Sequence, residues 1–335
     1  MVAARKEKGS RVRMATPRRY KVTVVGLGVM GRRHARVFAA LSDRFELIGA
    51  YDVQAKLEWP EDLPVLGGEL EAIARADVVV VATPTRTHAG IVARALGSGR
   101  HVLVEKPLCA RAAEAEALTA VAARGSARLF VGHSERFNPV VRALARLVRG
   151  ERVVAIDTQR VGPSRPSECG VLVNLAVHDL DLAAYLGGGE AIVHGAVGGS
   201  SSGGAREDVA HVLLTTTSGA FGHVYVDRTA LEQRRGLVLA TPRWLYEGDL
   251  LAHRLVRTSR DSREPRVRTE MPLLLEEPLA GQAIALADAL DGSTPRELAT
   301  ATDGTRALAL AERAASYCAS AAPIAQPSGS SGSPR

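Results

Sequence analysis

Residues 20–36 read YKVTVVGLGVMGRRHAR. A β-branched run, Val22 to Val25, stops at Gly26-Leu27-Gly28-Val29-Met30-Gly31, and a helical pattern follows. G-x-G-x-x-G at a strand-to-helix turn is the arrangement that brings a backbone close to a pyrophosphate. Gly26 permits the tight turn, Gly28 has no Cβ to hold phosphates away, and Gly31 lets the helix lie close on the strand. The first helical turn, with Val29 and Met30, offers unpaired N–H groups and a partial positive charge to an anion.

The chain downstream supports this reading. A second strand, Phe45 to Tyr51, leads into Asp52, 21 residues after Gly31. A carboxylate there is placed to bind the adenosine ribose hydroxyls. It favours NAD over NADP, because a 2′-phosphate would meet like charge, although Arg32 or Arg33 could reach such a phosphate. Strand and helix patterns alternate from residue 20 to 132. The run Val78-Val79-Val80-Val81 suits a strand covered on both faces, hence a parallel sheet. The expectation is a doubly wound Rossmann domain over 20–132.

After residue 150 the pattern changes. A strand at 153–160 precedes a Pro/Gly/Ser loop at 162–170, and a long helix is expected over 171–186. Six further strands follow between 191 and 258, most joined by short connections, which predicts an open, mainly antiparallel sheet over a second domain, 133–322. Thr217-Ser218-Gly219 is the clearest hairpin turn. Helices over 279–290 and 305–320 close the fold.

The formal net charge is +7, but residues 1–20 hold seven Lys/Arg and one Glu and so carry +6 of it. The basicity is a tail and not a groove, which argues against nucleic acid as a partner. Residues 1–19 and the low-complexity 323–335 are expected to be disordered tails. No apolar run approaches the roughly 18 residues that span a bilayer, and residues 1–20 lack an apolar signal core. The three cysteines are far apart and form no C-x-x-C pair. A soluble, cytoplasmic protein with no metal site and no membrane partner is the expectation.

Three segments carry chemistry. Ala82-Thr83-Pro84-Thr85-Arg86-Thr87-His88 follows the Val run, and ligands bind outside the carboxyl ends of strands in such sheets. Thr83, Pro84 and His88 are therefore expected beside the cofactor. Glu105-Lys106-Pro107 ends the next strand, which places Lys106 in the same crevice, with Glu105 and Pro107 shaping its side and Pro107 a candidate cis-proline. On the long helix, Asn174 and His178 are spaced i, i+4, and His178 and Asp181 are spaced i, i+3, so regular helix geometry puts all three on one face.

Together these segments resemble the Gfo/Idh/MocA family of glucose–fructose oxidoreductases and inositol 2-dehydrogenases, over 20–320. The stretches that carry the resemblance are VGLGVMGRRHARVF, VVVATPTRTHAGIVARAL, GRHVLVEKPL and NLAVHDLDL. It implies an NAD-linked oxidoreductase acting on a sugar or cyclitol hydroxyl, and a homodimer or homotetramer. Lys106 matches the family's active-site lysine and His178 its catalytic histidine. Asn174 stands where most members have Asp, a departure that removes a charge from the site.

Two further stretches, 131–139 and 160–179, look like the subgroup that oxidises the 3-hydroxyl of UDP-N-acetylglucosamine or its uronic acid. The implied mechanism has His178 as general base near its ordinary pKa of ~6.5, oriented by Asp181, while Lys106 steadies the developing alkoxide. Arg136 and Asn138 are candidate substrate contacts. Arg160 or Arg165 would meet a nucleotide diphosphate. An inositol or free-sugar dehydrogenase, or a catalytically weak NAD-binding regulatory protein, are the alternatives.

Overall fold

A computed structural model describes residues 18–54, 63–163, 169–201, 203–204, 206–261, 263 and 266–320. Residues 1–17 and 323–335 of the expected tails, and Arg165, lie outside the described residues.

Five parallel strands, β1 (Tyr20–Val25), β2 (Phe45–Tyr51), β3 (Val78–Val81), β4 (His101–Glu105) and β5 (Leu129–Gly132), form one sheet in the order β2-β1-β3-β4-β5. Strand order reverses between β1 and β3, which opens a crevice at their carboxyl ends. The valine run of β3 has no exposed residue. Val78 and Val80 face one layer of helices, while Val79 and Val81 face the other.

Helices α1 (Val29–Ala40), α2 (Glu69–Arg75), α3 (Thr85–Gly97) and α4 (Ala112–Arg124) are the crossovers. Next come a short 3₁₀ turn, Ser134–Phe137, and α5 (Pro139–Leu147). Neither was expected from the pattern. The cap is nonetheless written in Asn138-Pro139: the Asn138 side chain accepts from the Val140 amide, and Pro139 opens the helix.

The second sheet has eight strands, ordered β13-β12-β11-β10-β6-β9-β8-β7. They are β6 (Ala155–Val161), β7 (Ala191–Gly199), β8 (Val209–Thr216), β9 (Phe221–Asp227), β10 (Arg234–Ala240), β11 (Trp244–Asp249), β12 (Arg254–Ser259) and β13 (Arg268–Glu270). Every pairing is antiparallel except β6 with β9. The turn at 217–219 joins β8 to β9, with Gly219 at φ 88°.

The long helix is not regular throughout. Residues Leu172–Ala176 form a π turn, and α6 (Val177–Gly187) continues from it. The last helices, α7 (Pro278–Leu290) and α8 (Ala301–Ser320), return to the parallel sheet. Leu279, Ala283 and Leu286 of α7 pack with α1 on one face, and Leu308 of α8 packs with α3 and α4 on the other. Each of these leucines withdrawn from water stabilises by roughly 1.5–3 kcal/mol, so the carboxyl-terminal helices help hold the crevice together. Among the described residues no helix is long and apolar enough to cross a membrane.

Candidate active site

The Gly-rich turn lies at the crevice between β1 and β3. Gly26 has φ 95°, and a Cβ there would meet the Ala82 and Thr83 backbone at 2.6–2.7 Å. A Cβ on Gly31 would lie 1.8 Å from the Gly26 carbonyl oxygen. Gly28 differs: nothing lies within 4 Å of the position its Cβ would take. Helix α1 starts there with no side-chain cap, and Val29 is 63% exposed. Uncapped N–H groups, open space and an uncovered apolar residue fit a dinucleotide diphosphate over this turn. Met30 packs partly against the core and also lines the adjoining cavity.

Asp52 closes the turn from β2. One carboxylate oxygen accepts from the Leu27 amide at 2.6 Å and the other from the Gln54 amide at 2.8 Å. The carboxylate is thus anchored to the loop whose cofactor it is proposed to read. Arg32 bends back to donate to the Leu27 carbonyl, and Arg33 lines the cavity.

Two loops are tied together by His88, which is buried. Its Nδ1 lies 3.0 Å from the Pro107 carbonyl oxygen and its Nε2 lies 2.8 Å from that of Thr83. Thr83 also accepts through its hydroxyl from Thr87, and Pro84 leads into α3. The Lys106–Pro107 peptide bond is cis. Beneath it, Glu105 pairs with the buried His34, Oε1 to Nε2 at 2.7 Å. Burial alone would raise the Glu105 pKa, but the His34 hydrogen bond and the charges of His34 and Lys106 outweigh it and lower it.

Lys106 and His178 line one cavity of about 780 Å³, in the size range of small-molecule sites. Lys106 Nζ donates to the main-chain carbonyl oxygen of Asn174 at 2.9 Å. Burial pushes the Lys106 pKa down to about 8, although Glu105 opposes this. Burial, with the charge of Lys106 next, holds His178 well below its ordinary value. This corrects the expectation of a histidine titrating near ~6.5: the imidazole is neutral at physiological pH. Its Nδ1 is buried with no hydrogen-bond partner among the described residues.

Asp181 does not orient His178. It is held by Arg136, at 2.8 Å from Nε and 2.6 Å from Nη2, and lies on the far side of α6. The physical reason is a buried arginine that claims the carboxylate: both residues lie in the regular turns of α6, where an i, i+3 step still sets the two side chains about 60° apart around the axis. Arg136, expected as a substrate contact, does not line the cavity of Lys106 and His178. It is buried against Asp181 and Asp303 and stacks over Tyr185 at 4.8 Å. Asn138 borders the cavity, but its amide caps α5 and donates to the Leu250 carbonyl at 3.0 Å.

Arg160 does reach the cavity. It is buried between Asp179, at 2.6 Å, and Glu135, at 3.1 Å. Glu135 also accepts from Arg235 at 2.8 Å. The sequence pattern did not single out Glu135, Arg228 or Arg235, all of which line this cavity. Arg228 donates to the Cys169 carbonyl at 2.9 Å. Arg235 reaches the site through β-sheet register, opposite Arg160 across β6 and β10, and no local signal carries that pairing.

Residues 20–133 match the family model "Oxidoreductase family, NAD-binding Rossmann fold", and residues 142–244 match "GFO/IDH/MocA C-terminal domain". The chain belongs to the Gfo/Idh/MocA oxidoreductase family. It is 30% identical over 223 residues to UDP-N-acetylglucosamine 3-dehydrogenase of Acidithiobacillus ferrooxidans, covering 63% of this chain and 68% of that one. A solved structure of that enzyme matches with TM-score 0.81 at 26% identity, over 89% of this chain and 97% of the other. Inositol 2-dehydrogenase of Rhizobium meliloti is 26% identical over 188 residues, covering 50% of this chain and 55% of that relative.

This Gfo/Idh/MocA chain is therefore an oxidoreductase with an NAD-binding Rossmann fold, and its relatives are dehydrogenases acting on CH–OH groups. In this chain the two matched regions meet at the cavity of Lys106 and His178, one following the end of β4 and one on α6.

Proposed function

We propose that the protein oxidises a secondary hydroxyl of a nucleotide-linked hexosamine, at C3 of a UDP-N-acetylhexosamine or its uronic acid, with NAD as acceptor. The observation that carries this reading is the shared cavity of Lys106 and His178 beside the Gly-rich turn. NAD, when bound, supplies the carbon that takes the hydride. Gly26, Gly28, Gly31 and the start of α1 would hold its diphosphate. Asp52 would bind the adenosine ribose, which favours NAD over NADP.

The chain's own residues then act on the alcohol. Lys106, mostly protonated below its pKa of about 8, donates a hydrogen bond to the reacting oxygen and stabilises negative charge as it develops there. His178, neutral and half-buried at the cavity wall, receives the hydroxyl proton. Asn174 holds the ammonium through its main-chain carbonyl oxygen. The Glu105–His34 pair fixes the backbone from which Lys106 extends.

Charge favours a nucleotide sugar over a free cyclitol. Arg33, Arg36, Lys106, Arg160, Arg228 and Arg235 line the cavity against Glu105, Glu135 and Glu277, and with Asp179 on Arg160 and Asp208 near Arg228 the lining stays net positive, which suits a diphosphate. The test is NADH absorbance with purified protein. Reduction with UDP-N-acetylglucosamine or its uronic acid, and none with inositol or glucose, supports the proposal. Reduction with inositol or glucose alone moves the substrate to the free-sugar class, and cofactor binding without reduction by any of them turns the reading to a regulatory protein.

A further inference from the structure

A second large cavity, of about 870 Å³, lies on the other side of α6 and shares no lining residue with the one that holds Lys106 and His178. Its floor is apolar, built from Phe130, Leu180, Val193 and Leu310. Its polar lining is mostly arginine: Arg128, Arg136, Arg296, Arg306 and Arg313 stand against Asp181, Glu190 and Asp303.

The pairing of these charges is uneven. Arg136 is taken by Asp181 and Asp303, and Arg306 by Glu190. Arg128, Arg296 and Arg313 have no carboxylate at ion-pair distance among the described residues. Their hydrogen bonds go to the Ala289 carbonyl, the Tyr185 carbonyl and the Tyr317 hydroxyl. Each guanidinium lies over an aromatic ring: Arg128 over Phe130 at 5.0 Å, Arg296 over Tyr185 at 5.2 Å, and Arg313 over Tyr317 at 5.3 Å. Stacking fixes the plane of a guanidinium and leaves N–H edges to grip an oxyanion. Five cations against three anions leave a surplus of two. The chain's own amino-terminal run, at +6, does not complement this charge.

We infer that this cavity binds a small phosphomonoester dianion with a flat apolar body, the ring on the floor and the phosphate among Arg128, Arg296 and Arg313. Two surplus charges match a dianion, and the apolar floor excludes a fully hydrated sugar. The site is independent of the reaction proposed above.

The test is calorimetric titration of 1-naphthyl phosphate into the full chain saturated with NAD. One saturable site per chain is expected. Uncharged 1-naphthol and inorganic phosphate should each bind at least about tenfold more weakly, since each lacks one half of the recognition. The exposed pair Arg296→Gln and Arg313→Gln should weaken the probe by at least about tenfold with an unchanged melting temperature; if the double variant unfolds, Arg313→Gln alone makes the same comparison. Ala184→Phe, which fills the cavity without altering charge, should abolish binding. The inference fails if the wild type does not bind the probe, if the arginine variants bind it equally well, or if UDP-N-acetylglucosamine displaces it competitively, which would place it in the Lys106 cavity.

Discussion

Lys106 is held by the main chain of Asn174 and not by its side chain: Nζ donates to the carbonyl oxygen at 2.9 Å. A π turn over Leu172–Ala176 lies where this carbonyl meets the ammonium, and such turns recur at functional sites. The family's usual Asp at this place is therefore not needed to position the amine. Its charge remains a separate matter.

Asn174→Asp follows from that separation. A carboxylate near a buried ammonium favours the charged form, so the Lys106 pKa should rise from about 8 by roughly one unit. The alkaline limb of kcat/KM should move up with it, while KM for NAD stays within about twofold. An unmoved limb would mean that the 174 side chain does not sense Lys106.

The wild-type pH profile has its own signs. Lys106 must be protonated to donate, so activity falls as pH rises through about 8. His178 must be neutral to accept, and its pKa is depressed, first by burial and then by Lys106. The acid limb should therefore lie below the ordinary histidine value, near ~6.5. Lys106→Met should lower kcat by about 10³-fold and leave NAD binding intact. Removing the positive neighbour should also move the residual acid limb upward. A profile with its acid limb at or above the ordinary histidine value in the wild type would contradict the neutral imidazole.

The glycines of the turn separate folding from binding. Gly28 has open space at its Cβ position and extended backbone, φ −63° and ψ −167°. Gly28→Ala should keep the wild-type melting temperature within about 2 °C and weaken NAD by at least about tenfold, since the methyl occupies the diphosphate's approach. Gly31→Ala pushes a methyl to 1.8 Å from the Gly26 carbonyl oxygen and should lower stability by about 3 kcal/mol or more. Thermal melting and NAD titration of the two variants read these effects apart; equal NAD affinity in Gly28→Ala and wild type would remove the diphosphate from this turn.

The legible parts of the molecule were those set by local pattern. The Gly-rich turn, the valine strand, the Glu105-Lys106-Pro107 strand end and the alternation of the second sheet all follow from residue type and period. A π turn separates Asn174 from His178, but His178 and Asp181 share the regular helix α6; an i, i+3 step leaves them about 60° apart around the axis, and the buried Arg136 draws the carboxylate to the other side. Arg136 and Asn138 lie in the same motif as Glu135, yet Arg136 faces the second cavity while Glu135 faces the first. Side-chain direction in a 3₁₀ turn of four residues is settled by which buried partner claims each charge. That choice belongs to tertiary contact, as does the pairing of Arg160 with Asp179 and of Arg235 with Glu135.

The Arg136–Asp181 pair gives the last prediction, and it distinguishes support from catalysis. Both groups are buried and joined by two hydrogen bonds, at 2.8 and 2.6 Å. Burial alone would lower the Arg136 pKa, but Asp181 outweighs it and raises it. Removing one partner leaves a charge in a low-dielectric place, which costs about 3 kcal/mol or more. Asp303, 3.5 Å from Arg136, takes up part of that charge, so Asp181→Ala should sit near the lower end of this cost. Since Asp181 does not reach His178, kcat of the folded fraction at a permissive temperature should stay within about threefold of wild type, with an unchanged acid limb. Arg136→Leu with Asp181→Leu removes both charges and should recover much of the lost stability. A thousandfold fall in kcat for Asp181→Ala at full stability would instead return this carboxylate to the catalytic machinery.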